Sequence, residues 1–308
     1  MIYTLTANPA IDYHMDLTSA GFRPGEINRS SGEEMFPGGK GLNVSVILAE
    51  LGIENIAWGY IAGKTGTLLE SLAVEKGCRC DFIRLPEGET RINVKLDCEQ
   101  ETAVNGTGPK IGETQAAVLL EKVKGLSAGD AVILSGNLQA GTVNLYEEIC
   151  RASAGRGIRV VVDTEGDNLK GTFPYHPFLI KPNGEELLAL YGGSDESMEA
   201  VVSLMKRCQE DGVQNVLVTL GGDGALFLSA EGELYQAELL QESKVISTVG
   251  AGDSTIAGFL AGLDRYHGSY EKALALACAA GTATACRKWL CTGEEAEKTV
   301  PQICVRRL

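Results

Sequence analysis

Short, almost uninterrupted apolar runs recur along this chain, each followed by a segment of helical length, and that rhythm restricts the fold more than any other feature. The runs are Tyr3 to Thr6, Ile56 to Ala62, Phe82 to Leu85, Ala131 to Ser135, Arg159 to Asp163, Phe178 to Lys181 and Val216 to Leu220. Between them lie candidate helices near 41–52, 64–76, 112–125, 141–155, 184–191, 195–211, 252–266 and 270–287. A stretch such as Val160-Val161-Val162 has no polar face, as a strand requires when helices cover both sides of a parallel sheet. The pattern predicts a three-layer α/β core with a mostly parallel sheet, and ligands in such cores collect at the carboxyl ends of the strands.

Two regions break the rhythm. Arg91 to Asp97 alternates polar and apolar residues with period two, and weaker alternation runs from Ile11 to Leu17 and from Asn28 to Met35. These read as strands of a small antiparallel sheet, one face apolar and one wet or ligand-facing, suited to a lid. The expectation is one domain over residues 1–308, with an inserted β lid formed by about 10–36 and 90–105.

The 308 residues are 44% hydrophobic and 22% charged, ample for a large core. A formal net charge of −14 argues against nucleic-acid or anionic-membrane partners, which depend on excess Lys and Arg. Any anion must be held by a local site. Met1 to Thr6 reads as a strand and not as a signal peptide, and the uncharged run from Ala273 to Cys286 is too short to span a bilayer. Nine scattered cysteines without a Cys-x-x-Cys pair read as buried thiols, so the expected compartment is the cytoplasm. With three histidines, His14, His176 and His267, a zinc site is not expected.

The strongest chemical signal is Thr248-Val249-Gly250-Ala251-Gly252-Asp253-Ser254, a glycine turn running into an apolar helix. Helix starts carry unsatisfied N–H groups and bind anions. Asp253 there is either a helix cap or the base that accepts a proton from a hydroxyl attacking phosphorus. Gly38-Gly39-Lys40-Gly41-Leu42-Asn43 is a second loop-to-helix junction: a glycine turn with a solvated lysine, or a ligand cradle in which Asn43 bonds sugar hydroxyls. Arg91, Asn93 and Lys95 share one strand face, fit for a phosphorylated sugar or merely solubilising. Asp12 follows the turn Asn8-Pro9-Ala10 and either caps it or accepts from hydroxyls. Asn183 and Glu186 stand three apart at a helix start, as a capping motif or as groups ordering water around a divalent ion. Thr219 to Gly224 is either a hairpin turn or a nucleotide-phosphate loop. Gly63-Lys64-Thr65 is no phosphate-binding P-loop, because Trp58 occupies the required upstream glycine position, and no dinucleotide fingerprint occurs.

In this order the motifs resemble those of the PfkB-type sugar kinases of the ribokinase-like fold, in the phosphosugar branch that includes 1-phosphofructokinase and tagatose-6-phosphate kinase. The resemblance covers essentially the whole chain, and Asn8-Pro9-Ala10-Ile11-Asp12-Tyr13 and Thr90-Arg91-Ile92-Asn93-Val94-Lys95 incline it to the former. It implies ATP as co-substrate and Mg2+ as cofactor, with Asp253 as base and the N–H groups of Gly250, Ala251 and Gly252 as anion hole. Asp12, Gly38, Gly39, Lys40, Asn43 and Arg91 would hold the phosphosugar, with Asn93 and Ser135 beside them. Thr219, Gly221, Gly222 and Gly224 would line the ATP site, Lys181 and Asn183 would flank its phosphates, and Glu186 would hold magnesium, through water. It also implies a homodimer through the lid. The chain departs from the family pattern at Asn137 and Gln139, where a Ser-Gly-Ser-Leu-Pro turn is usual, at Glu165, and at Cys286-Arg287-Lys288-Trp289 beside the expected adenine pocket.

Overall fold

A computed structural model of the chain describes residues 1–17, 21–100, 102–138, 144–240 and 243–308. Gln139, the first three residues of the candidate helix 141–155, and residues 18–20 and 101 of the expected lid lie outside the described residues.

Along the chain run β1 (Ile2–Thr6), β2 (Ala10–Asp16), β3 (Gly32–Gly38), α1 (Lys40–Glu50), β4 (Asn55–Ile61), α2 (Gly63–Glu75), β5 (Ile83–Arg84), β6 (Arg91–Asp97) and β7 (Thr102–Asn105). Next come α3 (Glu113–Lys124), β8 (Ala131–Ser135), α4 (Leu145–Ser153), β9 (Arg159–Asp163), α5 (Gly166–Lys170), β10 (Leu179–Ile180), α6 (Gly184–Tyr191), α7 (Met198–Glu210) and β11 (Asn215–Thr219). The chain closes with β12 (Ala225–Leu228), β13 (Leu234–Leu239), α8 (Ala251–Arg265), α9 (Tyr270–Ala285), α10 (Gly293–Thr299) and β14 (Ile303–Arg307).

Ten strands form one sheet in the order β14-β13-β12-β11-β10-β9-β8-β1-β4-β5. From β11 to β5 every pairing is parallel, which puts the carboxyl ends of these strands on one edge. Period-two alternation then divides the core. Ile133, Val161 and Leu217 pack against α1, α2, α8 and α9, whereas Val132, Leu134, Val162 and Val218 pack against α3, α4 and α7. At ~25 cal/mol per Å² of apolar surface removed from water, these two buried layers supply the main stabilisation. The expected parallel run does not extend to the far edge: β12, β13 and β14 add antiparallel strands, because Gly221 to Gly224 makes a tight turn that reverses the chain into β12.

Helices α8 and α9 meet with almost no side chain between them. A Cβ added at Gly258 would lie 2.7 Å from the Leu276 carbonyl oxygen, and one at Gly262 only 2.5 Å from the Ala273 Cα. Small residues at these positions let the two backbones touch.

The second sheet has the order β3-β2-β6-β7. It is mixed, not antiparallel as alternation suggests: β2 pairs with β6 in parallel, while β2 with β3 and β6 with β7 are antiparallel. Period two reports which face a residue takes and carries no information on strand direction. The strand expected from Asn28, β3, begins later, at Gly32. Cross-strand register sorts its two faces. Asp12, His14, Asn93 and Lys95 share one face; Tyr13, Met35, Ile92, Val94 and Val104 share the other. On that apolar face Met35 is 44%, Ile92 42% and Val104 61% exposed.

Candidate active site

The carboxyl ends of β1, β8, β9 and β11, the starts of α1 and α8, and the polar face of the small sheet enclose a cleft of about 770 Å³. Asp12, Gly39, Lys40, Asn43, Arg91, Asn93 and Ser135 all line it, as do Lys181, Asn183, Glu186, Gly250, Gly252 and Asp253. Residues separated by more than 200 positions are thus brought to one place. Beside it a second cavity of about 390 Å³ is lined by Thr219, Gly221, Gly222, Gly224, by Ala251, Gly252, Thr255 and Cys278 from α8 and α9, and by Cys286 just past α9. Thr219, Thr248 and Gly252 border both spaces, so the two meet at the start of α8.

Gly250 caps α8 in the left-handed region at φ 80°, a conformation open to glycine, and so turns the chain into the helix. The geometry of a helix start leaves the N–H groups of Gly252 and Asp253 without an intrahelical acceptor. Ala251 departs from the expectation: its N–H turns back to the Thr248 carbonyl at 3.2 Å, and its side lines the smaller cavity and not the cleft. The Lys181 ammonium lies beside the same turn, 3.1 Å from where a Cβ on Gly252 would stand.

Asp253 is 5% exposed and accepts a hydrogen bond from Asn43 Nδ2 at 2.8 Å. It has no salt-bridge partner among the described residues. Burial pushes its pKa up to about 6, nearby Asp163 adds to the rise, and the Asn43 bond with Lys40 and Lys181 opposes it. A carboxylate with that pKa is basic enough to take a proton near neutrality.

Asp163, at the end of β9, also lines the cleft and is not among the candidate residues read from the sequence. It is 2% exposed and lies between two ammonium groups, Lys40 at 3.5 Å and Lys181 at 3.3 Å. For Lys40, burial works to lower the pKa, but Asp163, Asp253 and Glu186 outweigh it and the net direction is up. The available signal was its position, a carboxylate ending an all-apolar strand of a parallel sheet.

The residues expected to hold the phosphosugar are partly committed to one another. Asp12 accepts from Asn93 Nδ2 at 2.8 Å, and its carboxylate fills the space beside Gly38, where a Cβ would come within 2.3 Å of Oδ2. Gly38 itself does not line the cleft; its contribution is room for Asp12. Arg91 donates from Nε to the Asn8 carbonyl at 3.1 Å, and burial lowers its pKa. Among the described residues, the buried cleft atoms Asn43 Oδ1, Asn93 Oδ1 and Ser135 Oγ have no hydrogen-bond partner, and Asp163 Oδ2 has only its ion pair with Lys40. Such atoms are costly unless a ligand satisfies them.

Asn183 and Glu186 form a reciprocal capping box at the start of α6, with bonds of 2.7 and 2.8 Å, so the capping reading holds while both still face the cleft. Two departures from the family pattern prove to be one feature. Asn137 Nδ2 donates to Glu165 at 2.7 Å, and Thr164 Oγ1 donates to Asn137 Oδ1 at 3.2 Å, tying the loop after β8 to the loop after β9. The third departure lies elsewhere than expected: Cys286 lines the smaller cavity, but Trp289 does not; it packs on the small sheet. Among the described residues no helix is long and apolar enough to cross a membrane, and no group of three or more His, Cys, Asp or Glu side chains is placed to hold a metal ion.

A model of the pfkB family of carbohydrate kinases matches residues 6–296. The chain is 38% identical to the 1-phosphofructokinase of Bacillus subtilis, with all of both chains covered. It is 32% identical to the D-tagatose-1-phosphate kinase of Bacillus licheniformis, again over the whole of both. Among solved structures, phosphofructokinase-2 from Escherichia coli in complex with fructose-6-phosphate superposes with a TM-score of 0.88 at 27% identity, covering 97% of this chain and 98% of that one.

Proposed function

The chain belongs to the pfkB family of carbohydrate kinases, ATP-dependent enzymes that phosphorylate a sugar hydroxyl, and we propose that its acceptor is the free primary hydroxyl of fructose 1-phosphate, giving fructose 1,6-bisphosphate. One observation carries the reading: a buried carboxylate of raised pKa stands at a helix start where a nucleotide-sized cavity opens into a polar cleft.

ATP occupies the cavity lined by Thr219, Gly221, Gly222 and Gly224, with its phosphates towards Gly252. Asp253 takes the proton of the attacking hydroxyl as its oxygen bonds the γ-phosphorus of ATP and the bond from that phosphorus to the β–γ bridging oxygen breaks, releasing ADP; the N–H groups of Gly250 and Gly252 with the Lys181 ammonium stabilise the transferred group. The Lys40-Asp163-Lys181 bridge holds those cations in place without cancelling both. Asp12, Asn43, Asn93 and Ser135 accept and donate to sugar hydroxyls, and Lys40 and Arg91 meet the fixed phosphate. Glu186, with one oxygen tied to the Asn183 N–H, fits a water-mediated hold on Mg2+, which when bound neutralises charge on the phosphates. The small sheet acts as the lid that excludes water from the cleft.

The exposed apolar face of that sheet supports a homodimer in which two copies cover each other there, because three large apolar side chains in one register leave a patch that water disfavours. The identity to D-tagatose-1-phosphate kinase favours one second reading, the same transfer to tagatose 1-phosphate; fructose 6-phosphate and tagatose 6-phosphate place the fixed phosphate at the opposite end. An ADP-release assay across all four sugar phosphates decides. Highest kcat/KM on fructose 1-phosphate is expected, and turnover of none of them would remove the proposal.

A further inference from the structure

The segment from Ala285 to Cys291 touches three parts of the site at once. Its first residues, Ala285 and Cys286, wall the smaller cavity. Leu290, 5% exposed, lies against the catalytic turn: a Cβ on Gly250 would be 2.6 Å from Leu290 Cδ2. Cys291 donates its N–H to Thr284 Oγ1 at 3.2 Å, and that hydroxyl is 2.8 Å from Ser254 Oγ, the residue after Asp253. Between them, Trp289 leaves this frame and stacks face to face on Phe36 of β3, with ring centroids 4.7 Å apart and planes 15° from parallel.

Phe36 is the cross-strand partner of Asp12. The ring under Trp289 therefore sits directly opposite the residue that faces the sugar side of the cleft. The stack is reinforced: the Lys76 ammonium, just past the end of α2, lies 4.9 Å from the Trp289 ring and 5.7 Å from that of Phe36, and His14 meets Phe36 edge-on at 5.6 Å. A tryptophan that served only as filler would lie within one layer of the core. This one bridges the small sheet and the segment bordering both the nucleotide cavity and the catalytic turn.

We propose that Trp289 is a positioning residue, which through its stack on Phe36 seats the small sheet, and with it Asp12, over the cleft and ties that placement to the segment walling the nucleotide cavity. The inference rests on the reading that a sugar phosphate lies under the small sheet. It assigns to the Arg287-Trp289 departure a function on the sugar side of the site.

The test is a double-mutant cycle in steady-state kinetics with whichever ketose phosphate the wild-type protein turns over best. Trp289→Ala and Phe36→Ala should each raise the sugar KM by about three- to tenfold, the range an aromatic pair contributes, with kcat and the ATP KM moving less. The double variant should be little worse than the poorer single one, because both remove the same contact. Trp289→Phe keeps a stacking ring and should restore KM to within about twofold of wild type. Multiplicative effects in the double variant, an unmoved sugar KM in Trp289→Ala, or a phenylalanine variant as impaired as the alanine one each overturns the proposal.

A second measurement needs no truncation. The chain has two tryptophans, Trp58 and Trp289, so the difference between wild-type and Trp289→Phe emission isolates Trp289. Its emission should change when sugar phosphate is added, and a silent Trp289 counts against the proposal. Failure of the underlying reading looks different, since the wild-type protein would then phosphorylate no ketose phosphate at all.

Discussion

Replacing Asp253 by asparagine should make the protein more stable and nearly inactive, and the two effects share one cause. Burial first, then the charge of Asp163, raises the carboxyl from 3.8 to about 6. A shift of about two units corresponds to roughly 3 kcal/mol of differential interaction. The sign follows from proton counting. Between about pH 4 and pH 6 the native state holds a proton that the unfolded chain has released, so stability falls as pH rises through that window. Above about pH 6 the full penalty is present; below about pH 4 both states are protonated and it vanishes. Asparagine keeps the shape, still accepts from Asn43 and cannot ionise. For 308 residues at ~2.1 cal/mol/K each, 3 kcal/mol converts to a Tm gain of roughly 4–5 °C at pH 8, shrinking towards pH 4. Scanning calorimetry of both proteins across that pH range measures it. In the same variant kcat should fall by ~10²–10⁴-fold, while wild-type kcat/KM should decline as pH drops through about 6. A variant that melts below wild type at pH 8, or an offset that does not change with pH, would show that Lys40 and Lys181 compensate the carboxylate fully and that burial does not set its basicity.

Three further changes probe other parts of the site. Asp163→Ala strands the Lys181 ammonium, 6% exposed, without its carboxylate, and should cost roughly 3–5 kcal/mol in thermal or denaturant unfolding; an unchanged melt contradicts the bridge. Gly38→Ala forces a methyl group to within 2.3 Å of Asp12 Oδ2, so sugar KM should rise by an order of magnitude or so while the ATP KM stays within about twofold. Equal loss on both substrates would point to misfolding of the turn. Val104→Asp places a charge on the exposed apolar face of the small sheet and should convert a dimer to monomers in sedimentation velocity; an assembly unaffected by it is not built on that face.

Much of the fold was legible because parallel strands buried on both sides have nowhere to put a polar residue, as in Val160-Val161-Val162. The last three strands were not: fully buried β12 follows a glycine turn that reads equally well as a phosphate loop, and β13 and β14 carry partly exposed residues that interrupt the apolar pattern. That Lys40, Asn43, Gly252 and Asp253 would share one cleft could be expected because glycine-rich helix starts are a local signal. Asp163 was missed because its meaning is not local: only the assembled sheet sets it between lysines 123 positions before and 18 positions after it. The partners of Asn137 and Glu165 were hidden for the same reason, as two loops become neighbours only when β8 pairs with β9.

The contact of α8 with α9 through Gly258 and Gly262 has a mechanical consequence. Backbones that touch have no side-chain slack to absorb a shift, so Asp253, the proposed proton acceptor at the head of one helix, and the wall of the smaller cavity carried by the other are held as one rigid piece. On the proposed reading, any motion that brings acceptor and donor into line falls to the four-stranded sheet, a roof closing on an anvil, with the Trp289–Phe36 stack as its point of attachment.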